Sequence, residues 1–248
     1  MKPPSEFSGL RVVVTGSSSG IGEATARRLD ELGASVVVNS ASSVEAGHRV
    51  AGGLSERAFY VQADISHADD RMKLIEHAAE RMGGIDVLIN NAGWTTSIDH
   101  RDLDALTEDV FRKTFEVNVF GTWELTKLAM PFLEQSSDGS VVTVTSIAGL
   151  RPIGSSIAYA MSKAALNHMV RLMAKSHGPI RFNAVAPGLV ATPWTEDWDE
   201  MHEQVSETAP LGRSATPDDC VEAVLGILRN RYMTGEIVVV DGGLTQVL

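Results

Sequence analysis

The sequence has few of the residues that would indicate a disulfide scaffold, a metal centre or a membrane protein. Its 248 residues include one cysteine, Cys220, so no internal disulfide can form and a buried, unreactive thiol is expected. Cysteines and histidines nowhere cluster at metal-ligand spacing, which predicts no metal site. No apolar run approaches the roughly 20 residues that a helix needs to span a bilayer.

Basic residues are also in short supply. Lysine and arginine number 21 against 32 aspartates and glutamates, which gives a net charge of −11. This balance disfavours binding to nucleic acid or to an anionic membrane, because both need a basic surface. Residues 1–6 lack the apolar core of a signal peptide, which predicts a cytoplasmic protein. The expected partner is a small molecule.

Short apolar strands alternate with stretches of helix length along the whole chain. This alternation is typical of βαβ units, which build a parallel sheet with helices on both faces. Because no repeat or linker interrupts the pattern, the sequence predicts a single α/β domain over 1–248. The predicted strands cover 12–14, 36–38, 59–61, 85–89, 141–145, 180–185 and 237–240.

A glycine-rich segment, 15–22, follows the first strand and precedes a good helix former. Strand, glycine turn and helix is the context that a dinucleotide-binding turn requires. Gly16 would allow the tight turn, Gly20 a close approach of the backbone to a pyrophosphate, and Gly22 close packing of helix on strand. The helix N-terminus would offer free N–H groups to the phosphates. Taken alone, the segment also fits a plain loop.

Tyr159 and Lys163 are four residues apart, and Ser146 lies thirteen residues upstream of Tyr159. Residues at this spacing share one face of a helix. An ammonium beside a phenol favours the phenolate, so we expect Lys163 to lower the pKa of Tyr159 and to make an acid/base pair. On its own the pair also fits an ordinary helix surface, and Ser146 also fits a turn or cap serine.

Four segments together resemble the short-chain dehydrogenase/reductase family: 15–22, Asn90-Asn91-Ala92-Gly93, Ser146 with Tyr159-x-x-x-Lys163, and Pro187-Gly188 with Thr192. They occur in the family's order and spacing over essentially the whole chain. The resemblance implies a doubly wound Rossmann fold with a seven-stranded parallel sheet. It also implies an oxidoreductase that transfers a hydride between a nicotinamide cofactor and a ketone or secondary alcohol.

The resemblance assigns roles to four catalytic residues. Ser146 would hydrogen-bond the substrate carbonyl oxygen, and Tyr159 would act as the general acid/base. Lys163 would assist Tyr159 and hold the ribose hydroxyls of the nicotinamide side. Asn118 would hold a water that links Lys163 to solvent.

The resemblance also implies the cofactor-binding set. Asp64 matches the adenine-contacting aspartate, although it also fits a turn or a helix cap. The expected residues are Gly16, Ser18, Ser19, Gly20, Ile21, Gly22, Asn39, Ser40, Asp64, Ile65, Asn91, Ala92, Gly93, Tyr159, Lys163, Pro187, Gly188, Val190 and Thr192.

The residues after the second strand bear on the choice of cofactor. An enzyme that uses NAD usually carries a carboxylate there for the ribose 2′-hydroxyl, whereas this chain has Asn39 and Ser40 followed by 41–43. The segment therefore contains no acidic residue that would repel a 2′-phosphate. The arginine that usually binds this phosphate is missing too. We expect NADP(H) to be favoured, with NAD(H) possible.

The segment 192–210 falls where the family keeps a substrate lid. Its six acidic residues, without any lysine or arginine, would repel an anionic substrate, although they also fit a solvated helix face. We expect a neutral, partly apolar ketone or secondary alcohol. Trp94, Trp194 and Trp198 are candidates for the pocket wall or for core packing.

Two long helices, 107–135 and 156–176, are predicted, and the family commonly uses this pair to form a dimer or tetramer. Their apolar stripes also fit packing against the chain's own sheet. Two other functions compete with a ketone reductase. One is a reductase of 3-oxoacyl thioesters on an acyl carrier protein, and the other is a non-catalytic dinucleotide sensor or scaffold.

Overall fold

The computed structural model describes residues 6–247, and its strands form one parallel sheet. The sheet order is β3-β2-β1-β4-β5-β6-β7. From β1 the chain adds β2 and β3 on one side and then β4 to β7 on the other, so the switch point of the sheet lies between β1 and β4. This order confirms the doubly wound fold. The strands are β1 (Arg11–Val14), β2 (Ser35–Ser40), β3 (Phe59–Gln62), β4 (Val87–Asn90), β5 (Ser140–Val144), β6 (Arg181–Pro187) and β7 (Ile237–Val240).

Every predicted strand is present, and the bounds differ by up to two residues. The largest difference at a strand start is in β4, which begins at Val87 instead of residue 85. Asp86, just before it, uses its carboxylate to accept hydrogen bonds from the backbone N–H and the guanidinium of Arg11. This ion pair fastens the start of β4 to the start of β1.

Helices cover both faces of the sheet. Side chains of Thr107, Ser156 and Thr216 cap three of them by accepting a hydrogen bond from a first-turn N–H, as the preference of helix starts for Ser and Thr predicts. The helices are α1 (Gly20–Glu31), α2 (Val44–Gly52), α3 (Ala68–Met82), α4 (Glu108–Phe115), α5 (Thr122–Leu133), α6 (Ile157–Ser176), α7 (Asp199–Thr208) and α8 (Pro217–Arg229).

The helix predicted over 107–135 is interrupted by a π-helical turn, Glu116–Gly121, between α4 and α5. Gly121 ends this turn where the chain passes close to another segment: a Cβ there would lie 2.7 Å from the backbone oxygen of Ile65. Wide turns of this kind insert one residue into the helix and often mark functional positions. Asn118 lies within the turn and is buried.

Two apolar layers hold the helices on the sheet. Alternate residues of β1 illustrate the division, because Val13 packs with one layer and Val12 and Val14 pack with the other. A strand buried on both faces reads as an unbroken apolar run, as 12–14 does. Within residues 6–247 no helix has the length and apolar character needed to cross a membrane. Residues 1–5, on which the expectation of no signal peptide rests, lie outside the described residues.

We expect Gly22→Ala to lower the free energy of unfolding by about 1–3 kcal/mol, because overpacked backbone contacts cost that much. The added Cβ would lie 2.5 Å from Asn91 Nδ2 and would meet the carbonyl oxygen of Gly16. Denaturant unfolding of the cofactor-free protein measures the change. Gly226→Ala in α8 is the matched control: apart from the adjoining helix backbone, no atom lies within 4 Å of its Cβ position, so alanine should stabilise by up to about 1 kcal/mol. Equal stability of Gly22→Ala and the natural protein would contradict the close packing.

Candidate active site

The turn between β1 and α1 has the backbone shape that its glycines predict. Gly16 and Gly20 have φ angles of 60° and 57°, in the left-handed region that favours glycine. A Cβ on Gly16 would lie 2.8 Å from Ala92 Cα, so this turn can approach the end of β4 only without a side chain. Ser18, Ser19 and Ile21 line the cleft at the start of α1. Free N–H groups of a first helical turn suit a pyrophosphate.

Asn91 fastens this turn to the end of β4. Its Nδ2 donates to the carbonyl oxygens of Thr15 and Gly16, each at 2.9 Å. The Thr15 hydroxyl accepts from the N–H groups of Asn91 and Ala92, each at 3.0 Å. Two loops at the switch point of the sheet are therefore locked together, which holds the cleft between them in shape.

Ser146, Tyr159 and Lys163 meet where β5 ends beside α6. Ser146 directly follows Thr145 after β5, and its Oγ accepts from the Ala148 N–H at 3.1 Å. Tyr159 lies in the first turn of α6, where the Ser146 hydroxyl is near enough to interact with its phenol. The Lys163 Nζ lies 5.5 Å from the centre of the Tyr159 ring and donates to the Val144 carbonyl oxygen at 3.0 Å. The three side chains predicted to form the catalytic group therefore lie together.

The expectation that Lys163 lowers the pKa of Tyr159 is wrong for the cofactor-free protein. Burial raises the pKa of Tyr159 to about 12, because the phenolate loses water, and the hydrogen bond with Ser146 opposes this only in part. Burial likewise lowers the pKa of Lys163 to about 8. The spacing predicts proximity correctly, but desolvation is the largest cause of the shift in each pKa.

Asn118 lies behind the catalytic group. Its Nδ2 donates to the carbonyl oxygen of Trp94 and to Ser162 Oγ, each at 3.0 Å, and its Oδ1 accepts from the Trp94 N–H at 2.7 Å. Ser162 in turn donates to the carbonyl oxygen of Tyr159 at 2.7 Å. The Asn118 side chain thus joins the loop after β4 to α6, and its role with a water stays a prediction.

A cleft of about 630 Å³ opens above the carboxyl ends of the strands, where ligands of doubly wound sheets bind. Gly22 and Asn118 do not line it, because both lie behind its wall. The other predicted residues line it: Gly16, Ser18, Ser19, Gly20, Ile21, Asn39, Ser40, Asp64, Ile65, Asn91, Ala92, Gly93, Ser146, Tyr159, Lys163, Pro187, Gly188, Val190 and Thr192.

Asn39 lines the cleft but its amide is already engaged. Its Oδ1 accepts from the Gly16 N–H at 3.2 Å, and its Nδ2 donates to the carbonyl oxygens of Val61 and Ala63 at 3.1 and 3.0 Å. The side chain therefore braces the glycine turn, which disfavours the expected contact with the ribose 2′ group. Asp64 uses one carboxylate oxygen to accept from the N–H and hydroxyl of Ser66.

The segment 192–210 forms a short 3-10 turn, Pro193–Thr195, followed by α7. Trp194 and Trp198 line the cleft, as predicted, whereas Trp94 does not. The Trp94 ring instead lies under the ammonium of Lys113, 4.4 Å from its centre. All six acidic side chains are exposed, so they form a solvated face: Glu196, Asp197, Asp199, Glu200, Glu203 and Glu207.

His202 ties the start of this segment to Ser214, which follows the segment in the chain. Its Nδ1 lies 2.7 Å from Ser214 Oγ, and its Nε2 lies 3.2 Å from both the carbonyl oxygen and the hydroxyl of Thr195. On the inner side, Val205 and Ala209 pack with Ile147 and Leu244. The packing with Ile147 couples α7 directly to the residue that follows Ser146.

Several cleft residues were missed by the sequence analysis. Thr95 and Ser155 come from two different loops, and their hydroxyl oxygens lie 2.6 Å apart. Leu244 and Val247 line the cleft from the end of the chain. No motif marks these positions, because what they share is only the place to which the fold brings them.

Comparisons with known proteins agree with this geometry. A family model described as enoyl-(acyl carrier protein) reductase matches residues 16–245. A Streptomyces violaceoruber protein named "Granaticin polyketide synthase putative ketoacyl reductase 2" is 51% identical over 93% of this chain and 94% of its own length. A 3-oxoacyl-(acyl-carrier-protein) reductase of Thermotoga maritima is 32% identical over 94% and 96% of the two chains.

A solved structure of a short-chain dehydrogenase from Burkholderia cenocepacia, in complex with NADP, has a TM-score of 0.90 and 30% identity over 96% of this chain and 99% of its own. This chain belongs to the short-chain dehydrogenase/reductase family. It is an oxidoreductase that, like its relatives in this family, acts on hydroxyl or keto groups.

The site of this short-chain dehydrogenase/reductase suits a nicotinamide dinucleotide. Side chains are excluded where the glycine turn meets Ala92, free N–H groups lie at the start of α1, and Lys163 reaches the far end of the same cleft. All residues expected to hold the cofactor except Gly22 thus line this one cleft.

Lys163→Met should change how protein stability depends on pH. Because the folded-state pKa of Lys163 is lowered from 10.5 to about 8, the natural protein should gain stability between pH 8 and pH 10.5, on the order of 3 kcal/mol. The variant lacks this gain. The stability of the variant relative to the natural protein should therefore be greatest below pH 8 and should decline as the pH rises. Thermal unfolding across this range measures it, and a difference independent of pH would contradict the burial cost.

Proposed function

We propose that this protein uses NADPH to reduce a neutral, largely apolar ketone to a secondary alcohol. The observation that carries the proposal is the charge of the cleft lining. Asp64 and Lys163 are the only charged residues that line it among residues 6–247, and Lys163 belongs to the catalytic group. A carboxylate or phosphate on the substrate would find no cationic partner at the lid end, where isolated charges are costly to desolvate.

The substrate end of the cleft is apolar. Its apolar lining includes Ile147, Ile153 and Leu189, and the lid segment adds Trp198 and Met201. Apolar walls with few convergent polar groups are typical of small-molecule sites. Ser146 and Tyr159 supply those polar groups at the reacting end.

The mechanism follows from the protonation state of the catalytic group. A bound nicotinamide supplies the hydride. Ser146 hydrogen-bonds the carbonyl oxygen and stabilises the negative charge that develops on it. Tyr159, whose pKa of about 12 keeps it protonated at neutral pH, gives its proton to that oxygen. In the reverse direction, oxidation of the alcohol, the Tyr159 phenolate would take this proton back.

The choice of NADPH is supported by the corner of the cleft beyond β2. Ser40, Ala41, Ser42 and Ser43 line this corner without a carboxylate, and α2 begins directly after them at Val44. Hydroxyls and first-turn N–H groups can donate to a phosphate. The relative from Burkholderia cenocepacia was solved with NADP. NADH is a second candidate reductant, because no arginine or lysine among residues 6–247 lines this corner.

Tyr159→Phe should lower kcat for ketone reduction by about 10²- to 10⁴-fold, because the variant cannot donate the proton. Oxidation of NADPH and of NADH against a panel of neutral ketones, followed by absorbance, measures it. Tyr232→Phe is the matched control, since Tyr232 is fully exposed and is not among the residues that line the cleft. Absence of turnover in the natural protein would favour a non-catalytic sensor, and equal activity of Tyr159→Phe would contradict the assigned acid.

A 3-oxoacyl thioester is a second candidate substrate. It is favoured by the name of the relative that is 51% identical, which is a ketoacyl reductase of a polyketide synthase. The keto group of such a substrate fits the same chemistry. The six exposed acids of the lid segment argue against a carrier with an anionic phosphopantetheine arm, because like charges repel.

We expect the protein to reduce a 3-oxoacyl N-acetylcysteamine thioester, which is neutral, with a higher kcat/KM than the matching coenzyme A thioester at low ionic strength. Added salt screens the repulsion, so the gap should narrow as ionic strength rises. Initial rates for both thioesters at low and high salt measure this. A preference for the coenzyme A thioester that weakens with salt would contradict the argument from the acidic lid segment.

We also propose that the chain forms a homodimer or homotetramer. The π turn and α5 expose Phe120 and Trp123, and α6 exposes Met161 and Leu172. Large apolar side chains exposed on two long neighbouring helices favour burial against another subunit.

A further inference from the structure

The corner beyond β2 contains one hydroxyl whose orientation is fixed by a partner. Ser40 Oγ lies 2.8 Å from the Tyr60 hydroxyl oxygen, and Ser40 lines the cleft while being nearly buried. The neighbouring Asn39 amide is engaged by the backbone, and Ala41 has no polar side chain. The Ser40 hydroxyl, on the last residue of β2, is therefore a side-chain group that is placed to meet a ligand.

The Tyr60 ring is held firmly from its other side. Gly47 of α2 packs on this ring so closely that a Cβ there would lie 2.5 Å from Tyr60 Cδ2. The His48 ring lies 4.6 Å from the Tyr60 ring, centre to centre, on the same helix. Tyr60 is also fixed by its strand, since β3 pairs with β2 and places Tyr60 opposite Val38. Because Gly47 has no side chain, it leaves room for the Tyr60 ring, whose hydroxyl reaches Ser40.

Each of the two hydroxyls carries one proton, so in any one arrangement one hydroxyl donates and the other accepts. When Tyr60 donates to Ser40 Oγ, the Ser40 proton is free to point into the cleft. A phosphate oxygen accepts hydrogen bonds and cannot donate when ionised, so it selects this arrangement. A ribose 2′-hydroxyl can donate or accept and is served by either arrangement. A hydrogen bond received from Tyr60 also strengthens Ser40 as a donor.

We propose that Tyr60 is a positioning residue for cofactor choice: it holds the Ser40 hydroxyl as a donor to the 2′-phosphate of NADPH. This inference rests on the proposed use of NADPH. It explains how a corner without arginine or lysine among its lining residues can still favour the phosphorylated cofactor. Tyr60 acts through Ser40 and does not itself line the cleft.

The test is calorimetric binding of 2′,5′-ADP and of 5′-AMP, which carry the adenosine half with and without the 2′-phosphate. The proteins are the natural chain, Tyr60→Phe, Ser40→Ala and the double variant. Tyr60→Phe keeps the ring on Gly47, so the packing is retained. We expect this variant to bind 2′,5′-ADP about 3- to 10-fold more weakly than the natural protein does, and to keep its affinity for 5′-AMP within about 2-fold. Ser40→Ala should weaken 2′,5′-ADP by about 10-fold, and the double variant should be no weaker than Ser40→Ala.

Three results would overturn the inference in different ways. If the natural protein favours 2′,5′-ADP but Tyr60→Phe changes nothing, the role of Tyr60 is wrong while the preference for NADPH stands. If Tyr60→Phe weakens both ligands equally, its role is structural only. If the natural protein binds both ligands equally, the preference for NADPH fails and this inference fails with it. Melting temperatures of the variants separate misfolding from loss of the 2′ contact.

Discussion

The catalytic site depends on the contact between α6 and the turn that follows β5. Lys163 Nζ donates to the Val144 carbonyl oxygen, and Asn167 Nδ2 donates to that of Gly149 at 3.2 Å. A Cβ on Gly149 would lie 2.6 Å from the carbonyl carbon of Lys163, so only glycine permits the helix to lie this close. These contacts fix the helix against the strand end, and thereby bring Ser146, Tyr159 and Lys163 together.

The same close packing determines the electrostatics of the site. Removing water from the Tyr159 phenol and the Lys163 ammonium disfavours the charged form of each, so the pKa of Tyr159 rises to about 12 and that of Lys163 falls to about 8. At neutral pH Tyr159 therefore keeps its proton, which it can transfer to a developing alkoxide. Burial thus connects the packing of α6 with the protonated form of Tyr159, which the proposed reduction needs.

The sequence predicts those features that depend on local spacing. Tyr159 and Lys163 are four residues apart on a helix, and Gly16 and Gly20 require a left-handed backbone, so both could be inferred before any tertiary contact is known. The orientation of a polar side chain at the end of a strand cannot be predicted in this way, because it depends on tertiary contacts. Asn39 turns to backbone partners in β3 and the glycine turn, and Trp94 turns to Lys113, which the sequence places nineteen residues away. Leu244 reaches the cleft from the chain's end by topology alone.

The claim that burial, and not Lys163, controls Tyr159 is tested most directly by NMR of the cofactor-free protein with 13C-labelled tyrosine rings. The chain has three tyrosines, and the signal lost in Tyr159→Phe identifies the catalytic one. The account predicts that this signal keeps its protonated shift well above pH 10, the ordinary pKa of tyrosine. A titration near neutral pH would show that Lys163 dominates and would contradict the account.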